Sequence, residues 1–193
     1  VRAVRERYGL PAVFALAVGT IEPRKNLPTL MRAMAILKQR RVTADLRLVV
    51  VGRKGWLWEE SLQSIDECGV ADAVRLLDYV ADEDLPSLYG AAAMLVFPSL
   101  YEGFGFPPLE AMACGTPVVS SNSSSMPEVV GDAALVVEPR DAEALAGSME
   151  RVLMDRSLSD ALRGAGLERA KTFTWERSAR DLLAIYGALG GAS

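Results

Sequence analysis

Two glutamates with seven residues between them, Glu102 and Glu110, are the side chains in this sequence best placed to recognise a polar ligand. Gly103 and Gly105 lie between them and leave backbone amides open to close approach, because glycine has no Cβ. Such amides can hold phosphate, and two carboxylates can hold the hydroxyls of a ribose and of a sugar. The spacing therefore predicts a loop that grips a nucleotide-sugar. The alternative is that Glu110, in the first turn of the helix begun by the preceding Pro-Pro pair, only complements the helix dipole.

Two adjacent cations, Arg24 and Lys25, precede a second predicted helix, in the segment from Gly19 to Asn26 that follows the first predicted strand. An arginine can bond two phosphate oxygens at once, and a lysine acts as a point charge. The helix dipole and the amides of its first turn add to their charge. The pair predicts an anion site, and its alternative is a solvated pair in a loop.

Three further loops follow predicted strands. The segment from Gly52 to Trp56 either approaches the ligand or makes a tight turn against a packed tryptophan. Tyr79 and Val80 either frame a flat base or form an ordinary edge of the core. The run from Ser120 to Ser125 is interpreted mainly as a polar loop.

Composition excludes several classes of function. The chain has 193 residues, a net charge of −4 and no histidine, which excludes histidine-based triads and makes zinc sites unexpected. Cys68 and Cys114 have no ligand-like spacing and are interpreted as reduced thiols of a cytoplasmic protein. Scattered lysines and arginines predict no nucleic-acid groove, and no apolar run reaches the roughly 20 residues of a membrane span. No GxGxxG motif follows the first strand, and no Walker lysine motif occurs.

Short apolar runs alternate with segments of helical period. Near-continuous valine and leucine indicates strands buried on both faces, as in parallel sheets. The alternation predicts an α/β fold: a Rossmann-like, doubly wound parallel sheet of about six strands with helices on both faces and a helical C-terminus. Ligands of such sheets bind at the carboxyl ends of the strands. The predicted strands are Val13 to Val18, Leu46 to Val51, Val74 to Leu77, Met94 to Phe97, Pro117 to Ser120 and Ala134 to Val137.

Apolar stripes at helical spacing predict helices between and after these strands, several with a polar capping residue. They are a helix capped by Asn26, Trp56 to Cys68, one capped by Asp82, Pro107 to Cys114, one capped by Asp141, one after Ser157 and one capped by Thr174. Val1 to Tyr8 is interpreted as the end of a linker or a helix leading into the domain.

Five segments carry a family resemblance by occurring in a fixed order: Gly19 through Asn26, Gly52 through Trp56, Tyr79 through Leu85, Pro98 through Val118 and Pro127 through Gly131. Together they resemble the C-terminal, donor-binding half of glycosyltransferase family 4, a family of retaining enzymes with the GT-B architecture. The resemblance covers nearly the whole chain.

The resemblance implies a role for each matching residue. Arg24 and Lys25 match the cations that hold the donor pyrophosphate, and Glu110 matches the acid on the nucleotide ribose. Glu102 matches the first acid of the E-x7-E motif, beside the donor sugar. The other donor contacts it implies are Gly103, Phe104, Gly105, Tyr79, Val80 and Gly52.

The resemblance also implies a reaction and a partner. The parent enzyme would transfer a sugar from a nucleoside diphosphate sugar, such as GDP-mannose or a UDP-sugar, to an acceptor hydroxyl with retention, without metal or cofactor. Residues 1–193 would be its donor-binding domain, inactive alone, and an N-terminal acceptor-binding domain would be its partner. The last helix, with Trp175, resembles one that crosses back to that domain.

The wider role is expected in surface polysaccharide or glycan biosynthesis, in the cytoplasm or at the inner face of the membrane. The Gly-Arg-Lys-Gly-Trp loop is similar to loops of bacterial mannosyl- and rhamnosyltransferases. Two other classes remain open: a non-catalytic sugar-nucleotide-binding regulatory module, and a phosphorylase or nucleotide-sugar epimerase of the same architecture.

Overall fold

The computed structural model describes residues 1–40 and 45–190. Within these ranges the strands are β1 (Val13–Val18), β2 (Leu46–Val51), β3 (Val74–Leu77), β4 (Met94–Phe97), β5 (Val118–Ser121) and β6 (Leu135–Val137). They form one parallel sheet in the order β3-β2-β1-β4-β5-β6.

Helices precede the first strand, connect the strands and follow the last of them. They are α1 (Arg2–Tyr8), α2 (Leu27–Arg40), α3 (Trp58–Glu67), α4 (Leu85–Ala91), α5 (Phe106–Ala113), α6 (Met126–Val130), α7 (Ala142–Met154), α8 (Arg156–Lys171) and α9 (Trp175–Gly190). Across the described ranges, none of these helices combines the length and the apolar character that crossing a membrane requires. In the same ranges Cys68 and Cys114 form no disulfide.

The sheet separates two apolar layers. Successive side chains of a strand point to opposite faces, so Ala15 and Ala17 of β1 pack into one layer while Phe14 and Leu16 pack into the other. The first layer is covered by α2, α3 and α7, and the second by α1, α4, α5 and α6. This arrangement confirms the predicted doubly wound, Rossmann-like parallel sheet of six strands.

The order of the strands reverses beside β1, which pairs with β2 on one side and with β4 on the other. At such a switch point the connections leave in opposite directions and open a crevice at the carboxyl ends of the strands. The segments after β1 and β4, which carry Lys25 and Glu102, therefore meet at the same crevice.

The cap predicted for the helix after β3 is not formed. The prediction that Asp82 caps a helix is wrong, because α4 begins at Leu85 after Asp84. The Asp84 carboxylate does not cap α4 either, since it accepts hydrogen bonds from Arg7 and Tyr8 of α1. That ion pair ties the N-terminal helix to the start of α4.

The caps near the C-terminal end are confirmed in two cases. The Asp141 carboxylate accepts from the Ala144 amide at 2.9 Å, and the Thr174 hydroxyl accepts from the Arg177 amide at 3.1 Å. The helix predicted after Ser157 begins earlier, at Arg156, because Asp155 is its cap.

Other boundaries shift by one or two residues. Helix α3 begins two residues later than predicted because Leu57 adopts a left-handed conformation, with φ 46°. Strands β5 and β6 each begin one residue later than predicted. The short helix α6 was not predicted.

The segments after β1 and β2 continue to pair beyond the strands. The Gly19 amide donates to the Val51 carbonyl, and the Ile21 amide donates to the Arg53 carbonyl, both at 2.9 Å. The two backbones approach so closely that a Cβ on Gly52 would lie 1.9 Å from the Gly19 carbonyl oxygen. Gly52 therefore maintains the packing of two loops beside the crevice.

Replacing Gly52 by alanine is expected to force these loops apart. Overpacking of this kind costs about 1–3 kcal/mol, which lowers the melting temperature by several degrees in a chain of this size. Thermal unfolding measures the effect, with Gly147→Ala in α7 as control, since a Cβ there meets nothing within 4 Å. Equal melting temperatures for the two variants would show that the close approach is not needed.

Candidate functional site

The cations that follow β1 converge on one carboxylate that follows β4. Arg24 Nη1 lies 2.5 Å from Glu102 Oε2, and Lys25 Nζ lies 2.6 Å from Glu102 Oε1. Glu102 is buried, with a relative exposure of 8%. A buried carboxylate is stable only when it is paired and hydrogen-bonded, and each of its oxygens has its own cation here.

Arg24 is held from two sides. Its Nε lies 2.5 Å from Glu22 Oε1, opposite the bond to Glu102. Lys25 has a different environment, because its ammonium group lies 4.7 Å from the centre of the Phe97 ring. Glu22 was missed by the sequence interpretation, although its place two residues before Arg24 was a signal.

Backbone hydrogen bonds join the two segments as well. The Leu100 amide donates to the Arg24 carbonyl at 2.8 Å. Asn26 donates through Nδ2 to the carbonyls of Pro98 and Pro139, at 2.9 and 2.5 Å. Its Oδ1 accepts from the Thr29 hydroxyl. Asn26 directly precedes α2 and its carbonyl accepts from the Leu30 amide, so it occupies the predicted cap position, and its side-chain amide also bridges two loops.

Serines after β5 fix the conformation of the Glu102 segment. Ser124 Oγ accepts from the Glu102 amide at 2.8 Å, and Ser125 Oγ donates to the Glu102 carbonyl at 3.1 Å. Ser123 donates to the Leu100 carbonyl. The interpretation of this run as a general polar loop missed its role. The density of serines between Ser120 and Ser125 was the available signal.

The crevice between β1 and β4 is lined by Gly19, Lys25, Phe97 and Ser99, among others. Ser99 is buried, with a relative exposure of 1%. Its carbonyl accepts from the Ser121 hydroxyl at 2.6 Å. Its own hydroxyl makes no hydrogen bond within the part of the chain that the structure describes.

The glycines between the two glutamates differ. Gly105 precedes α5 with φ 103°, and a Cβ there would lie 2.1 Å from Met126 Cε. Gly103 is exposed, and a Cβ on it would meet nothing within 4 Å. The backbone conformation therefore favours glycine at Gly105, whereas Gly103 leaves room for a side chain. Phe104, the residue between them, is 39% exposed and lies 5.0 Å from the Phe106 ring.

Glu110 lies in the second turn of α5, not in the first as predicted, because the helix begins at Phe106. Its side chain is exposed, and its Oε2 accepts a 2.7 Å hydrogen bond from the hydroxyl of the buried Tyr89. Burial, and the neighbouring Glu110 carboxylate, raise the pKa of Tyr89 far above its usual value. Tyr89 therefore stays protonated and donates to Glu110, and the sequence contains no signal for this pair because the two residues lie on different helices.

Tyr79 and Val80 have different environments. Val80 is 3% exposed and belongs to the core, in agreement with the interpretation of this segment as an edge of the core. Tyr79 is 58% exposed, and the Arg53 guanidinium lies 5.2 Å from its ring centre. Any ligand contact in this segment falls to the Tyr79 ring or to the backbone.

The site residues thus form two groups linked by the Glu102 loop. Arg24, Lys25 and Glu102 are in direct contact, whereas the hydrogen bond of Glu110 joins it to Tyr89 of α4. Residues 1–40 and 45–190 contain no group of three or more acidic, cysteine or histidine side chains arranged to hold a metal ion.

Comparison with known protein families gives a match to the model "Glycosyl transferases group 1" over residues 5–169. The chain belongs to this family. The match confirms the resemblance drawn from the ordered loop motifs.

Relatives of this glycosyltransferase chain include the O-antigen chain mannosyltransferase B of Escherichia coli. The two are 44% identical over 177 residues, which is 91% of this chain and 46% of the relative. The chain thus spans about half the length of this relative.

Two solved structures share the fold of this chain. Sucrose-phosphate synthase from Thermosynechococcus elongatus is 32% identical with a TM-score of 0.82, covering 100% of this chain and 50% of that one. HepE of Anabaena, solved with UDP and glucose, is 21% identical with a TM-score of 0.81, covering 96% and 51%.

Replacement by alanine is expected to have different effects at Gly103 and at Gly105, the two glycines between Glu102 and Glu110. Gly105→Ala should lower the melting temperature, because the new Cβ collides with the buried Met126 and the residue must keep a left-handed φ. Gly103→Ala should leave the melting temperature unchanged and weaken binding of a nucleoside diphosphate measured by calorimetry. A Gly103→Ala variant that binds as tightly as the wild type would show that the ligand does not approach this backbone.

Proposed function

We propose that this chain is the donor-binding domain of a retaining glycosyltransferase. The parent enzyme transfers a sugar from a nucleoside diphosphate sugar to an acceptor hydroxyl in the synthesis of a surface polysaccharide or glycan. The observation that carries the proposal is the convergence of Arg24 and Lys25 on Glu102 at the switch point of the sheet. Membership of the glycosyl transferases group 1 family sets the reaction class.

The chemistry follows from the charges at the crevice. When the bond between the anomeric carbon and the diphosphate oxygen breaks, the electron pair stays with the diphosphate. The oxygen of the acceptor hydroxyl forms the new bond to the anomeric carbon, and its proton passes to the departing diphosphate. Fixed positive groups that face developing charge stabilise such a transition state. Lys25 and Arg24 supply that charge from the protein, so the proposal needs no divalent cation. Glu102 orients the hydroxyls of the sugar.

Glu110 is assigned to the ribose of the donor. Because Tyr89 donates to its Oε2, the other carboxylate oxygen, Oε1, is directed to the ligand. The donor is proposed to be GDP-mannose, because the relative from Escherichia coli is a mannosyltransferase.

The partner is proposed to be an N-terminal acceptor-binding domain of the same parent chain, since the chain spans 46% of that relative. Helix α9 offers a surface for it, because Trp175 is 80% exposed and Leu183 is 69% exposed. We place the enzyme in the cytoplasm or at the inner face of the membrane, where activated sugars are available.

Nucleotide binding by this chain is the first test. A nucleoside diphosphate at a hundred times its Kd adds about 2.7 kcal/mol to stability, or several degrees in melting temperature. UDP, GDP, dTDP and ADP are compared by thermal shift and calorimetry. In Glu110→Gln, which still offers an acceptor to Tyr89, affinity for the best nucleotide should fall about tenfold, as for a lost charged hydrogen bond. Glu176→Ala in α9 is the control.

Two results would contradict the proposal. If none of the four nucleotides raises the melting temperature, the chain is not a donor-binding domain. If Glu110→Gln binds as tightly as Glu176→Ala, the assignment of Glu110 to the ribose is wrong.

Turnover by the full-length protein tests the leaving-group role. Arg24→Ala with Lys25→Met, in which the methionine keeps an apolar stem against Phe97, should reduce kcat by orders of magnitude. Each charge-assisted contact is worth about 1.5–3 kcal/mol, and each 1.36 kcal/mol of barrier is about tenfold in rate. Lys38→Ala, which removes the exposed ion pair with Asp72, is the control. A double variant with the kcat of that control would remove the cations from the mechanism.

A further inference from the structure

Tyr89 carries a polar group on a side chain that otherwise belongs to the core. The residue is 1% exposed, and its ring packs in the apolar layer covered by α1, α4, α5 and α6. Its hydroxyl donates to Glu110 Oε2, on the neighbouring helix α5, at 2.7 Å. A phenylalanine would fill the same space without a polar atom to satisfy, so packing alone does not account for the hydroxyl.

The acceptor of this bond is open to a ligand. Glu110 is exposed, and it borders an open recess of about 450 Å³ that Phe104, two residues after Glu102, also lines. A ligand can therefore reach the Glu110 carboxylate without a rearrangement of the fold. An exposed glutamate on its own samples several rotamers, and ordering it when a ligand binds costs free energy.

Tyr89 reduces that cost before a ligand arrives. Its ring is fixed by the packing of the core, so its hydroxyl holds Glu110 Oε2 at a fixed point. Burial, and then the Glu110 carboxylate, raise the pKa of Tyr89 far above its usual value, so the phenol stays protonated and keeps donating. Because Oε2 is engaged, Oε1 is left to accept from a ligand, and ribose hydroxyls are donors that a carboxylate of this kind binds.

We propose that Tyr89 is a positioning residue for the ribose of the donor, which holds the Glu110 carboxylate in the orientation that accepts from the ribose hydroxyls. The inference rests on the proposed function and adds to it a residue that does not touch the ligand. Its consequence is selectivity. The site prefers a nucleotide with ribose hydroxyls to one without them, and that preference depends on Tyr89.

Tyr89→Phe tests this role, because it removes the hydroxyl and leaves the ring in the core. Calorimetry of this chain compares GDP, inorganic pyrophosphate and dideoxy-GDP, in which both ribose hydroxyls are replaced by hydrogen. We expect the affinity for GDP to fall about threefold to tenfold, as for the loss of one pre-ordered side chain. The affinities for pyrophosphate and dideoxy-GDP should stay unchanged.

Thr116→Val is the matched control. It removes a buried hydrogen bond of 2.8 Å to the Tyr89 carbonyl and leaves the phenol intact. The melting temperature of this variant should fall, as for any lost buried hydrogen bond, whereas its affinity for GDP should equal that of the wild type.

A double variant shows whether Tyr89 acts through Glu110. In Glu110→Ala the phenol has lost its acceptor, so adding Tyr89→Phe should change neither the affinity for GDP nor, downward, the melting temperature. A further fall in the affinity for GDP would show that Tyr89 acts by another route and would overturn the inference.

Two other results overturn the inference and leave the proposed function intact. One is a Tyr89→Phe variant that binds GDP as tightly as the wild type. The other is an equal loss of affinity for all three ligands, which a structural role produces. If the wild type binds GDP and dideoxy-GDP equally, the assignment of Glu110 to the ribose is wrong and the inference fails with it. If the wild type binds neither GDP nor pyrophosphate, the proposed function fails as well.

Discussion

The contact of Glu102 with both Arg24 and Lys25 is the interaction on which the site depends. It joins the segment after β1 to the segment after β4, and these are adjacent only because the strand order reverses at β1. A buried ion pair contributes little net stability when its desolvation is counted, but it fixes geometry, and removing one partner is costly. Glu102 is therefore best understood as the group that sets the positions of the two cations before a ligand arrives.

The loop that carries Glu102 is shaped by its neighbours more than by its own sequence. The Ser124 hydroxyl accepts from the Glu102 amide, and Ser125 donates to the carbonyls of Glu102 and Phe104. These bonds come from the connection after β5, the next strand in the sheet. The site is thus assembled from three consecutive positions along the sheet edge, and the exposed Gly103 backbone is held in place without contributing a side chain of its own.

Much of the fold and part of the site could be predicted from the sequence, for identifiable reasons. The strands were found because parallel strands buried on both faces are nearly continuous runs of valine and leucine. The proximity of Lys25 to Glu102 could be predicted because both residues lie in loops that follow the carboxyl ends of strands in one parallel sheet. The predictions that failed depend on contacts between elements that are distant in sequence. Asp82 has a residue type that favours a helix cap, but this preference does not show that α4 begins after Asp84 or that Asp84 binds Arg7 and Tyr8 of α1. Likewise, nothing in the spacing of Tyr89 and Glu110 shows that they meet, because that contact depends on how α4 packs against α5.

The charges at the crevice decide how a donor is held. Glu22 and Glu102 balance Arg24 and Lys25, so the four side chains carry no net charge together. Long-range electrostatic attraction therefore adds little to the binding of a diphosphate. Its selection depends on short, directed hydrogen bonds, which weaken steeply as their geometry departs from ideal. Donors that the fold has already fixed in position meet this need, because they require no reorganisation when charge develops on the leaving group.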